Sequence, residues 1–163
     1  MIDGLKDGLT MNSVFNTPFE ISLRTLLTLE VAGEQWKTAD MIAAADFITV
    51  YGKVFGLSET NLHGDNDFKF SEFALRRELV KKSVKLLVKN GLIKVVYTDN
   101  GFSYSIAQRG LDFCSKLTND YAVKYRNFAK LAHNYIADKT ETEIFAHINR
   151  YAVSSLQRRE RNA

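Results

Sequence analysis

Apolar positions in this chain fall mostly at three- and four-residue intervals, the spacing that lines one face of an α-helix. The first such segment opens on Thr17-Pro18-Phe19-Glu20, where a threonine N-cap, a proline at the first helical position and a glutamate at the third form a capping box. It runs to about Ala32, is stopped by Gly33, and points Phe19, Leu23, Leu26, Leu27 and Val31 at a core. A second helix of about 14 residues, capped by Thr38, carries Met41, Ile42, Ala45, Ile48 and Tyr51 and ends near Gly52. Its alanines 43–45 permit close helix approach. Residues 53–70 lack any period and hold Gly56, Gly64 and Asp65-Asn66-Asp67, a connection long enough to be functional or mobile. The third helix is expected from a Ser71 N-cap to Asn90, with Gly91 as its stop and Leu75, Leu79, Val80, Val84, Leu86 and Leu87 as its core side. Two β-prone runs, Leu92 to Tyr97 and Phe102 to Ala107, then flank an Asn100-Gly101 turn and read as a hairpin.

Three helices followed by a hairpin is the order of a winged helix-turn-helix domain, so the expected class is mainly α with α+β character. The expected organisation is a flexible leader at 1–13, the winged helix-turn-helix domain at 14–107, and C-terminal helices at 108–163. Those helices are expected at Gln108–Leu117, packed through Leu111 and Phe113, then at Tyr121–Asp138 and Glu141–Leu156. They bring more aromatic mass than a solvated helix needs, which suits docking on another chain, with Tyr125, Phe128 and Tyr135 as partner-contact candidates.

Composition narrows the class. A chain of 163 residues that is 45% hydrophobic suits a single buried core. No apolar run approaches the roughly 20 residues needed to span a bilayer, the start is acidic, and the lone Cys114 fits a reducing compartment, so a cytoplasmic protein is expected. The net charge of +3 hides a segregation: residues 1–68 hold four basic and ten acidic residues, whereas 69–94 hold eight basic and two acidic. Within that basic stretch Arg77, Lys81, Lys85 and Lys89 fall at successive i, i+4 positions on the helix that enters the major groove in winged-helix proteins, and Lys94 follows on the hairpin. The row reads either as a nonspecific phosphate contact or as a solvated outer face. Base-specific reading fits it less well, because lysine dominates and Asn and Gln are absent from the row.

Candidate chemistry is sparse. No G-x-x-x-x-G-K-[ST] loop occurs, and His63, His133 and His147 have no second ligand at helical spacing, so neither ATP hydrolysis nor a metal site is expected. Asp65, Asp67 and Glu72 read as loop solvation and helix N-terminal charge. A non-enzymatic chain without a cofactor is the expectation, and His63 in its loop is a partner-contact candidate.

From Met11 to about Asp138 the sequence resembles the type-two middle components of bacterial ABC three-component systems. The residues that carry the resemblance are Phe15-Asn16-Thr17-Pro18-Phe19-Glu20, Leu62-His63, and Arg76-Arg77-Glu78-Leu79-Val80, followed by the hairpin with its Asn-Gly turn. The family more often has a Ser-Leu-His-Pro string where this chain has Asn61-Leu62-His63-Gly64. The resemblance implies a non-catalytic adaptor in a Lamassu-like anti-phage or anti-plasmid complex, where an SMC-like ABC ATPase senses DNA and an effector nuclease is held inactive until triggered. It implies a hetero-oligomer that meets DNA nonspecifically through the complex, with Phe15, Pro18, Phe19 and Arg76 as further interface candidates. A free-standing winged-helix transcription regulator is the alternative.

Overall fold

A computed structural model describes residues 17–66 and 68–162. The expected leader, Phe15 and Asp67 lie outside the described residues. The chain is mainly helical with a small antiparallel sheet, in the order α1 (Pro18–Ala32), β1 (Lys37–Thr38), α2 (Ala39–Val50), α3 (Lys69–Lys89), β2 (Ile93–Thr98), β3 (Gly101–Ile106), α4 (Gln108–Cys114), α5 (Asp120–Ile136) and α6 (Glu141–Asn162). Sheet order is β1-β3-β2.

Local chemistry sets most of these boundaries. The Thr17 hydroxyl accepts from the Glu20 amide at 3.2 Å and the Thr38 hydroxyl from the Met41 amide at 3.1 Å, each satisfying a donor that a helix start leaves over. Gly33 and Gly91 close α1 and α3 with positive φ values of 66° and 73°, a conformation that costs other residues steric strain. The third helix begins two residues before the expected Ser71 cap. Its start is held instead by Asn66, whose side-chain oxygen accepts from the Phe68 amide at 2.9 Å and whose amide group donates to Glu72 at 2.7 Å.

The core is organised around α2, which is buried from Met41 to Val50 between α1, α3 and α5. Phe47 gathers Tyr51, Phe55, Phe70 and Phe73, all within 6.1 Å between ring centroids. Phe55 in turn meets Tyr135 and Tyr151, so the C-terminal aromatics join the same core as the first three helices. The connection between α2 and α3 is pinned as well: the Leu62 amide donates to the Val50 carbonyl at 2.9 Å, and Asn61 accepts from the Lys53 amide.

Several core expectations are corrected. Phe19, Leu75 and Leu86 are 70%, 57% and 53% exposed, because the core takes the faces of α1 and α3 that run through Ile21, Thr25 and Thr28, and through Val80 and Val84. Leu111 and Phe113 also face outward, whereas Gly110 and Cys114 point in. Gly110 is required there: a Cβ would collide with the Leu92 carbonyl oxygen and come within 2.9 Å of Ile106 Cγ1. No helix among the described residues is long and apolar enough to cross a membrane.

Candidate functional site

The basic row lies on α3, but its members have different roles. Each four-residue step overshoots a full turn by about 40°, so the row sweeps about 120° around the helix from Arg77 to Lys89. Arg77 sits at the flank and is engaged internally. Its guanidinium forks onto Asp40 at 3.0 and 3.1 Å and lies 4.9 Å from the centroid of Phe145 on α6. The hydrogen bond to Asp40 raises its pKa further. Lys81 is exposed and paired only loosely with Glu78 at 3.3 Å, while Lys85 and Lys89 face solvent. On β2, Lys94 is exposed and its ammonium rests 5.5 Å from the Trp36 ring.

Helix α6 flanks the N-terminal half of α3, with Phe145 against Phe73 at 5.6 Å and Leu156 beside Phe70 and Ser71. Between this helix and the hairpin lies an open cleft of about 950 Å³, lined by Trp36, Asp40, Arg77, Asn100, Glu141 and Phe145 among others. Thr38 donates to Glu141 at 2.9 Å across its floor.

Behind the basic row four helices meet at one carboxylate. Asp46 of α2 accepts from Arg24 of α1 at 2.8 and 3.0 Å and from the Tyr125 hydroxyl of α5 at 2.7 Å, and Arg76 of α3 stands 3.1 Å away. Arg24, Asp46, Arg76 and Tyr125 are all no more than 2% exposed. Burial alone would raise the Asp46 pKa, but the Arg24 and Arg76 guanidiniums outweigh it and hold the carboxyl well below the usual range. Burial likewise opposes charge on Arg24, and Asp46 more than restores it. Tyr125 is pushed well up by burial and by the Asp46 charge, and Thr28 shares a 2.9 Å hydrogen bond with its hydroxyl. The Arg76 guanidinium also lies over the rings of Phe47 and Tyr51, at 5.5 and 5.7 Å.

A second pair adjoins this cluster. His63 Nε2 and the Tyr121 hydroxyl are 2.6 Å apart and their rings stack at 23°. Burial, then the nearby Arg24 charge, lowers the His63 pKa to about 3, so the imidazole is neutral at physiological pH.

Of the partner-contact candidates, Pro18 and Phe19 are exposed; His63, Phe128 and Tyr135 are half-buried; Arg76 and Tyr125 are sealed inside. The last two therefore hold the fold together rather than present a surface, because each side chain is consumed by contacts to Asp46 or to rings. Tyr135 is bonded to His147 Nδ1 at 2.7 Å and covered by the Lys139 ammonium at 4.4 Å. Arg24 and Asp46 were not among the sequence candidates. Their signal was present: each is a lone charge on the apolar face of a helix, a position that demands a partner. Among the described residues no group of three or more His, Cys, Asp or Glu side chains is placed to hold a metal ion.

The three blocks that suggested a family therefore occupy connected ground. Thr17 to Glu20 start α1 one turn before Arg24, His63 closes the loop over Tyr121, and Arg76-Arg77 bind the two acids of α2. No curated protein and no solved structure matches the chain. Over residues 14–158 it matches the model of the ABC-three component (ABC-3C) system Middle Component 2 family, and it belongs to that family.

Proposed function

We propose that this middle component is a non-catalytic, cytoplasmic adaptor built on a winged helix-turn-helix, which couples DNA sensing by an SMC-like ABC ATPase to an effector nuclease in a Lamassu-like defence complex. The observation that carries the reading is the two-sided character of α3. Its inner face is locked to three other helices through Asp46, and its outer face offers Lys81, Lys85 and Lys89 to solvent. Such a helix is a rigid platform that presents positive charge in fixed register.

Further features support each part. The order α1, β1, α2, α3, β2, β3, with β1 paired to β3, supports the winged-helix reading. Sequence-reading helices lead with their N-terminal residues, and here that half of α3 is flanked by α6, leaving the lysines of the later turns for phosphate. The most strongly perturbed acid, Asp46, is shut away beneath two guanidiniums and a tyrosine rather than open to a substrate, which favours a structural over a catalytic role.

Co-expression with an ABC ATPase of the same three-component system tests the reading. The expected result is a stable complex that elutes as one species. A chain that stays apart from the ATPase, dimerises and protects one operator sequence over others would instead be a free-standing regulator.

A further inference from the structure

One stripe of α6 changes character along its length. Ile144, Ile148, Tyr151, Ser155, Arg158 and Asn162 recur at alternating four- and three-residue steps, so they lie within one narrow sector of the helix. Ile144 and Ile148 are buried and Tyr151 meets Phe55, which fixes the direction of the stripe toward the body of the protein. The last two turns keep that direction, yet Ser155, Arg158 and Asn162 line a cleft of about 430 Å³ rather than a core.

Positive charge converges on this cleft from three segments. Lys53 comes from the α2–α3 connection, Lys69 from the first turn of α3, and Arg158 and Arg159 from α6, whereas Asp65 is the one acid among the described lining residues. Asp65 accepts from the Asn61 side chain at 3.2 Å, and no described carboxylate pairs with Lys53, Lys69 or Arg158. Like charges gathered in this way oppose folding and favour an anion between them.

Size and lining narrow the class of anion. The cleft falls within the range of small-molecule sites. Phe70 and Tyr151 also line it, so aromatic surface adjoins the cations. Linked phosphates pack charge and several acceptor oxygens into a short span, a density that carboxylates spaced one per residue along a peptide do not reach. The cleft is also separate from the lysine row. Lys81 follows Lys69 by twelve residues, about 18 Å along the α3 axis and about 120° around it.

We propose that this cleft binds a nucleoside diphosphate or triphosphate, with its phosphates between Lys53, Lys69 and Arg158 and its base against Phe70 and Tyr151. The proposal does not depend on the adaptor reading and holds equally for a free-standing regulator. Aromatic stacking tolerates any base, so ADP stands for the class.

Calorimetric titration of the full chain with ADP, pyrophosphate and adenosine tests the assignment. ADP should bind at one site and more tightly than either fragment. Lys53→Glu combined with Arg158→Glu should weaken ADP binding by about tenfold or more. The thermal midpoint should be retained, since both side chains are exposed. If charge reversal lowers the midpoint, Lys53→Gln with Arg158→Gln carries the same test. Lys85→Glu with Lys89→Glu changes net charge equally but lies on the row, and it should leave ADP binding as in the wild type. Absence of saturable ADP binding, or equal weakening by the two charge-reversed pairs, overturns the proposal. Pyrophosphate or adenosine binding as tightly as ADP overturns it too, because one half of the ligand would then be idle. Displacement of ADP by hexaglutamate at matched charge would overturn it in favour of an acidic protein segment.

Discussion

The Tyr125 hydroxyl donates to Asp46 Oδ1 across 2.7 Å, joining residues 79 positions apart. That bond closes a ring of donors around a carboxylate that also faces Arg24 and Arg76. Asp46→Ala should cost about 3–5 kcal/mol, because it leaves buried guanidiniums without their counter-charge. Tyr125→Phe removes a single hydrogen bond and should cost about 1–3 kcal/mol. Urea unfolding of both variants checks the ranking; a loss for Asp46→Ala no larger than that for Tyr125→Phe would contradict the central role given to the carboxylate.

The neutral His63 makes stability depend on pH. Its folded pKa is about 3, whereas an unfolded chain titrates near 6.5. Below about pH 6.5 the unfolded state binds the proton that the folded state refuses, so stability is full above that value and declines down to about pH 3. His133, also lowered by burial and by Lys37, contributes with the same sign. Asp46 adds to the loss only below about pH 4, where the unfolded carboxylate protonates and the folded one does not yet. Denaturation midpoints between pH 7 and 4.5 should therefore fall for the wild type and fall less for His63→Gln. Equal slopes would show that the imidazole takes up its proton in the fold.

Charge on the outer face of α3 should act on nucleic acid rather than on folding. Lys81→Glu, Lys85→Glu and Lys89→Glu combined should leave the melting temperature within a few degrees, since all three are exposed. Nonspecific duplex binding by the assembled complex should weaken, and the slope of log affinity against log salt should shrink by up to about 3. Arg77→Ala is the contrasting case. Its partly exposed bond to Asp40 makes the effect on stability small, roughly 0–1 kcal/mol, and its effect on the salt slope should be smaller than that of any of the lysines. An unchanged slope for the triple variant would leave these lysines as solvated side chains.

How much of this was legible beforehand depended on whether the signal was local. Thr17, Thr38, Gly33 and Gly91 punctuate helices through their own backbone neighbours, and the sequence marks all four. The hairpin turn is local in the same way, although its two central residues are Asp99 and Asn100, and Gly101 already pairs with Thr98 at the start of β3. Which face of a helix enters the core is decided by the helices on the far side, so Phe19, Leu75 and Leu86 were misread as buried. A strand of two residues, Lys37–Thr38, has no period to detect; it exists because β3 lies beside it. The central ion cluster was hidden for the same reason, since Arg24, Asp46, Arg76 and Tyr125 become one site only after four separate helices have been assembled. Among the C-terminal aromatics, Tyr125 is buried and Tyr121, Tyr135, Phe145 and Tyr151 are partly buried against the same core, a division that only the assembled helices decide.

The packing of α5 onto α1 and α2 has a bearing on synthesis. As the chain leaves the ribosome, residues 17–106 hold every described strand and the helices up to α3, yet they lack Tyr125, Ala129, Ala132 and Ile136, which cover the inner side of α2. Until those arrive, Asp46 and its arginines border an open apolar surface that attracts chaperones or aggregation. Productive folding therefore waits on α5, and this core closes only once residues 120–136 have joined residues 17–106, before any assembly can begin.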